Sequence, residues 1–306
     1  MNTATRFPSG DVRKNNPAVP IRHMDFGFDN AQLKARFYDD NAFASAFFMA
    51  FSAVIPHGER FFIESVRHYR SRLHDPELDA RVTGFIGQEA MHGKEHDAVN
   101  EAYDRMGYPV GRLDRITHMG LKVLARYLPK AAQLSTTVAL EHYTAIISEY
   151  MLGSKELQAG FDKQMGDFVL WHMMEETEHK AVAYDVYEKM IGSYALRAGT
   201  MIPTTVILIA ALASMQAVLM ASDGTLFNPR LLRQHAKGFG MIYGPRGLFG
   251  SVLPHLLDYF KPGFHPNDHD TSELLARFSE RFFGERGELN RNLGKVVVPK
   301  VRKAAV

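Results

Sequence analysis

Apolar positions recur at three- and four-residue intervals along nearly the whole chain, and no stretch alternates apolar and polar residues as a half-buried strand would. That periodicity predicts helices throughout. After Asp40 an apolar run through Phe47, Phe48 and Phe51 is expected to end at Pro56, and a second amphipathic stretch runs from His57 to Leu73. Asp75-Pro76-Glu77 reads as a turn and a helix start, and the helix it opens continues to Met106 and stops at Gly107. Further helices fit 112–128 before Pro129, 130–152 before Gly153, and about 160–190 before Gly192. Residues 198–222 hold no charged side chain, and 229–260 and 271–283 read as shorter helices around a loop at 262–270. Prolines at 8, 17 and 20 make residues 1 to about 27 an extended arm, and the tail from 285 reads as polar, basic and frayed. The expected fold class is all-α. The expected divisions are an arm over 1–38, a helical bundle over 39–192, an apolar helix and C-terminal helices packed on it over 193–284, and a tail over 285–306.

Composition changes this picture little. With 36 Lys plus Arg against 34 Asp plus Glu, the formal charge of +2 offers no basic field for nucleic acid. Cysteine is absent, which removes disulfides, thiolate metal sites and cysteine nucleophiles, and the first residues lack the apolar core of a secretory signal. A cytoplasmic location is the expectation. The uncharged run at 198–222 is long enough to cross a bilayer, but basic residues flank both its sides. A buried helix, a homodimer seam and a greasy surface that receives lipid are the other readings, so association with the inner face of the membrane stays open. Fourteen histidines are many for 306 residues, and any transition metal here must be held by imidazole and carboxylate.

Two helices carry the spacing Glu-x-x-His: Glu89-Ala90-Met91-His92 and Glu176-Thr177-Glu178-His179. Residues three apart share a helix face, so each pair can present one carboxylate and one imidazole to a common point. Chance matches of this kind are usually solvated faces. What raises the odds is a single acidic residue within an apolar stretch of each of two other helices: Glu64 in FFIESV and Glu141 in TVALEHY. A lone carboxylate among Phe, Ile and Val is costly to bury unless something positive meets it. Glu64 stands about as far before the Asp75 turn as Glu89 stands after it, so an antiparallel hairpin brings both to one level. The order Glu, Glu-x-x-His, Glu, Glu-x-x-His, with a connector at 112–128 between the pairs, is the ligand set of ferritin-like dinuclear carboxylate bundles.

The stretch from about 57 to 191 resembles ferritin-like di-iron oxygenases, in particular the p-aminobenzoate N-oxygenase type, which has a further histidine one turn before the last Glu-x-x-His. His172 in WHMMEETEH holds that position. Nearly the whole chain also looks like a bacterial family of predicted metal-dependent hydrolases. The resemblance implies one metal on Glu64, Glu89 and His92 and another on Glu141, Glu176 and His179, with Glu89 and Glu176 as bridges central to catalysis and His172 joining the second metal. The plain alternative for His172 is a core histidine bonded to a backbone carbonyl. His96, four after His92, and His68, four after Glu64, are candidates to orient a ligand through a hydrogen bond. Glu175 and Glu178 fall off the ligand face and read as solvated or paired, and His142, next to Glu141, falls off that face too. Tyr69, Tyr143, Tyr184, Phe85 and Met91 read as core before they read as pocket, and His265, Asp268, His269 and Asp270 read as well as a capping turn as they do as a separate metal site.

A carboxylate-rich set suits two iron ions, or manganese, better than zinc. The function expected is a non-haem oxidoreductase that uses O2 and an external electron donor to hydroxylate or oxygenate a hydrophobic or lipid-like small molecule, in a homodimer. A dinuclear metal-dependent hydrolase and a ferritin-like iron-oxidising or iron-binding protein are the rivals.

Overall fold

The structure is a computed structural model that describes residue 16 and residues 18–301. A short strand, β1 (Ile21–Met24), leads into α1 (Ala42–Arg70), α2 (Pro76–Arg105), α3 (Val110–Tyr127), α4 (Lys130–Gly153), α5 (Lys155–Ala159), α6 (Lys163–His179) and α7 (Val182–Met190). Next come α8 (Tyr194–Ser222), α9 (Leu232–Tyr243), α10 (Leu248–Asp258) and α11 (Ser272–Phe283), and the chain closes on β2 (Leu293–Val297). The all-α class holds.

Helices α1 and α2 form one antiparallel hairpin, α4 and α6 the second, and α3 crosses between them against α1. Helix α8 lies against α1 and α4, α10 against α4, and α11 against α6. One apolar layer is built around Phe47, Tyr103, Phe168 and Trp171, and another around Phe62, Val66, Phe85 and Val138. Between them runs a layer of buried polar side chains.

Three expectations need correction. Pro56 does not end a helix: α1 runs through it to Arg70. Proline lacks the N–H that would bond the carbonyl of Ser52, but Asn100 Nδ2 on α2 donates to that carbonyl at 3.0 Å, so the bond lost within one helix is made from the next. The helix expected over about 160–190 is broken after His179 into α6 and α7, with Lys180 Nζ donating to His269 O at 2.7 Å across the break. Nor are the arm and tail both loose. Residues 21–24 pair antiparallel with residues 293–297, and β1 packs on α2. The start of the arm, with Pro8 and Pro17, and the last residues of the tail lie outside the described residues.

Candidate metal centre

The buried layer is made of four carboxylates and three imidazoles from four helices. Glu59 comes from α1, Glu89 and His92 from α2, Glu141 from α4, and His172, Glu176 and His179 from α6; each is at most 3% exposed. Donor atoms of Glu59, His92, His172 and Glu176 lie within 4.8 Å of one another, as do those of Glu89, Glu176 and His179. Glu176 belongs to both groups. Glu141 Oε2 stands 3.7 Å from His179 Nε2, beside the second group.

Glu64 is not part of this layer. Its side chain is 68% exposed and pairs with Arg67 one turn on. Five residues separate it from Glu59, a rotation of about 140° around the helix axis, so one points inward when the other points out. The sequence did contain the signal: Ser52, Ile55, Glu59, Phe62, Val66 and Tyr69 repeat at three and four residues and are all buried, which is the inner stripe of α1. Glu59 stands on it, whereas Glu64 has apolar neighbours in sequence but itself faces solvent. His68, four residues after Glu64, is likewise exposed and away from the layer. His172 also groups differently from the pairing expected, with His92 and Glu59; the His92 and His172 rings stack with centroids 4.0 Å apart.

The imidazoles are oriented from behind. His92 Nε2 donates to Glu175 Oε2 at 3.0 Å, which turns Nδ1 toward Glu176 Oε1 at 3.5 Å and Glu59 Oε1 at 3.7 Å. His179 Nδ1 donates to Gln88 Oε1 at 2.9 Å, and its Nε2 faces Glu89 Oε1 at 3.0 Å without the alignment of a hydrogen bond. Both supports lead to one residue. Arg22 of β1 donates to Glu175 at 2.8 Å and through both terminal nitrogens to Glu178 at 2.7 and 2.8 Å, and Gln88 Nε2 donates to Glu178 at 2.8 Å. Glu175 and Glu178 are therefore paired, as expected, but Glu175 is buried and Glu178 largely so rather than solvated.

The orientation of His172 follows from a chain of partners. The Asn100 amide nitrogen must face the Ser52 carbonyl, which only accepts, so Asn100 Oδ1 faces the Ser52 hydroxyl and receives its proton at 2.6 Å. Ser52 Oγ then accepts from His96 Nδ1 at 2.8 Å, and His96 Nε2 accepts from His172 Nδ1 at 2.8 Å. His172 Nε2 is left with its lone pair on the carboxylate layer, 3.0 Å from Glu176 Oε1. His96 thus bonds His172 and sets which of its two nitrogens faces the layer. Ser52, Asn100, Gln88, Glu59 and Arg22 escaped the reading of the sequence.

Both oxygens of Glu59, Glu89 and Glu141, Glu176 Oε2, His92 Nδ1 and His179 Nε2 are buried with no hydrogen-bond partner among the described residues. So dense a set of unmatched donor atoms is costly without a cation. Burial, and then the mutual repulsion of the carboxylates, pushes Glu59 and Glu141 well above the ordinary carboxyl range. Burial would lower His92 and His179, but the adjoining carboxylates override it, holding His92 up at about 9 and His179 well above its usual value. Burial and the neighbouring His92 hold His172 down at about 4. Once cations displace the protons that these groups hold, four carboxylates would carry the charge that two divalent cations cancel, and all seven residues would offer oxygen or nitrogen donors of the kind iron and manganese accept.

The other candidates fall outside this layer. His142 is buried against Tyr259, with Nε2 donating to His255 O at 3.1 Å. His265 pairs with Asp185 at 2.9 Å, and His269 pairs with Asp258 at 3.1 Å beside the more exposed His255. Tyr69, Tyr184, Phe85 and Met91 are core, and the Phe85 ring meets His179 edge-on at 5.0 Å.

Tyr143 does line a cavity. A space of about 720 Å³ lies among α1, α3, α4 and α8, walled by Phe51, Leu121, Leu124, Leu140, Tyr143 and Leu208 among others. Among the described residues Glu59 is the one acidic or basic side chain that lines it, so the cavity and the carboxylate layer share a wall.

A family model described as "Predicted metal-dependent hydrolase" matches residues 20–270. No curated protein and no solved structure matches the chain.

Proposed function

Because the chain belongs to the predicted metal-dependent hydrolases, a family named for a metal, we propose that the buried layer holds two iron ions and that the protein is an oxidoreductase inserting oxygen into a hydrophobic substrate. The observation that carries this reading is the set of four carboxylates and three imidazoles meeting an apolar cavity at Glu59. Glu59, His92 and His172 would hold one ion and Glu89, Glu141 and His179 the other, with Glu176 between them. When bound as Fe(II), the pair supplies electrons for the reduction of O2. The balance is one oxygen atom entering a C–H bond and the other leaving as water, with two electrons and two protons from an external donor.

The chain's own residues do the rest. The apolar walls bind and orient the substrate and exclude water, and Arg22, Gln88 and His96 keep the imidazoles turned inward. Manganese fits the same donors. The family description favours a second reading, metal-assisted hydrolysis. Against it stands the lining of the cavity, which among the described residues is apolar apart from threonines, a tyrosine and Glu59, and so suits a hydrocarbon better than a polar ester or phosphoester.

The test is metal analysis of protein purified without chelator, then O2 uptake by the anaerobically Fe(II)-loaded protein. The expected result is about two ions per chain and O2 consumption that disappears in Glu141→Ala and His179→Ala. Ester or phosphoester cleavage with Zn(II) or Mn(II), and no O2 consumption with Fe(II), would replace this reading with the hydrolase.

A further inference from the structure

Helix α3 has two apolar faces. Leu121, Leu124 and Leu128 line the cavity, while Ile116, Met119, Val123 and Tyr127, spaced three and four apart, are 50 to 73% exposed. A crossover helix in water needs only the first face. Around the outer stripe stand Arg112, Arg115, Lys122 and Arg126, all exposed and none paired with a carboxylate among the described residues. Helix α8 is held to the bundle on one side, through Thr205 to Tyr143, Gln216 to Phe43 O and Arg197 to Tyr259 O. Its other side exposes Ile202, Val206 and Ile207 on a helix without charge from 198 to 222. Ile116 and Ile207 are both half exposed and both line the cavity, so its mouth opens between α3 and α8, within this apolar surface.

We propose that α3 and the outer side of α8 rest on an anionic bilayer, and that the hydrocarbon tail of a membrane amphiphile passes between them into the cavity. A basic helix with a separate apolar stripe is built to lie in the headgroup layer, its cations on the lipid phosphates and its stripe among the acyl chains. The cations also decide against a second copy of the chain. A two-fold contact through this surface would set Arg112, Arg115, Lys122 and Arg126 against their own kind or against uncharged α8, and neither offers them a counter-charge. The cavity is of the size that small-molecule sites have. Gly58, Gly120 and Gly199 border it from three helices, and a Cβ at any of them would meet nothing within 4 Å. Docking stands on the surface alone. The tail as substrate rests on the dimetal reading above, since Glu59 is where the cavity meets the metal layer.

The test is co-sedimentation of the metal-loaded full chain with vesicles of phosphatidylcholine alone or mixed with phosphatidylglycerol. Anionic vesicles are expected to bind it at least about tenfold more strongly, and the double variant Arg115→Glu/Lys122→Glu to lose about tenfold or more of that binding with metal content unchanged. Ile207→Asp is expected to weaken it too. A fluorescent long-chain fatty acid is expected to bind once per chain, and Gly120→Phe to exclude it while vesicle binding persists. Absence of a preference for anionic vesicles, or a dimer that Ile207→Asp dissociates with no change in lipid binding, overturns the docking. Equal probe binding by Gly120→Phe overturns the occupancy of the cavity. Vesicle and probe binding as expected, without O2 uptake, upholds this inference and places the failure with the oxygenase reading.

Discussion

Arg22 and Glu175 stand 153 positions apart in the chain and 2.8 Å apart in the fold, both buried, so that a residue of the N-terminal strand supports His92 at the centre of the bundle. Removing Arg22 leaves the buried Glu175 and the largely buried Glu178 without their cation. Arg22→Met is expected to cost about 3 to 5 kcal/mol of stability. It should also weaken metal binding by about tenfold or more, since the supports of both His92 and His179 pass through it. Chemical denaturation of the metal-free protein and a metal titration measure the two effects separately. Unchanged metal affinity would show that Arg22 serves the fold alone.

Glu59 and Glu64 offer the sharpest comparison. Glu59→Gln is expected to lose one of two metal ions. Glu64→Gln removes an exposed partner of Arg67 and should change stability by no more than about 0.5 kcal/mol, with metal content intact. Elemental analysis of the two variants side by side decides the matter, and metal loss in Glu64→Gln with retention in Glu59→Gln would reverse the assignment.

The hydrogen-bond chain from Asn100 through Ser52 and His96 fixes which nitrogen of His172 faces the layer. His96→Leu is expected to lower the affinity of the ion beside His172 by about ten- to a hundredfold while the other ion stays. His68→Leu is expected to change nothing, because His68 is exposed. A two-step metal titration distinguishes the sites.

The metal-free protein should depend on pH in a definite direction. Glu59 and Glu141, raised by burial and by their carboxylate neighbours, and His92 and His179, raised by carboxylates against the effect of burial, keep protons in the fold that the unfolded chain gives up more readily. What these groups contribute is fully present below their unfolded pKa values, about 4.3 for Glu and about 6.5 for His, and is lost as pH rises through the folded ones. His96 and His172, held down by burial, are neutral in both states above about pH 7 and drop out there, as does Glu176, which His179 and His92 keep ionised against burial. Chelator-stripped protein is therefore expected to lose melting temperature from about pH 7 to about pH 9, and metal-loaded protein to hold it, because cations replace the protons. A stripped protein with a flat profile would show that the layer is not protonated in the fold.

The class, the long helices and six of the seven residues that meet in the carboxylate layer, Glu89, His92, Glu141, His172, Glu176 and His179, are legible in the chain before it folds. They are so because a helix imposes its 3.6-residue period on the chain, so that Glu-x-x-His and His172 four residues before Glu176 are faces that can be read without a partner. The seventh was legible too, had the stripe from Ser52 to Tyr69 outweighed the apolar neighbours of Glu64. Tertiary structure decided what has no period. Pro56 stays inside α1 because a side chain on another helix takes up the freed carbonyl, Arg22 enters the site because β1 pairs with a strand from the far end of the chain, and His172 turns to His92 rather than to His179 because His96 holds its other nitrogen. Each depends on a hydrogen bond between groups 48 or more positions apart. Local periodicity carries no record of such pairs; only the packing of the bundle brings them together.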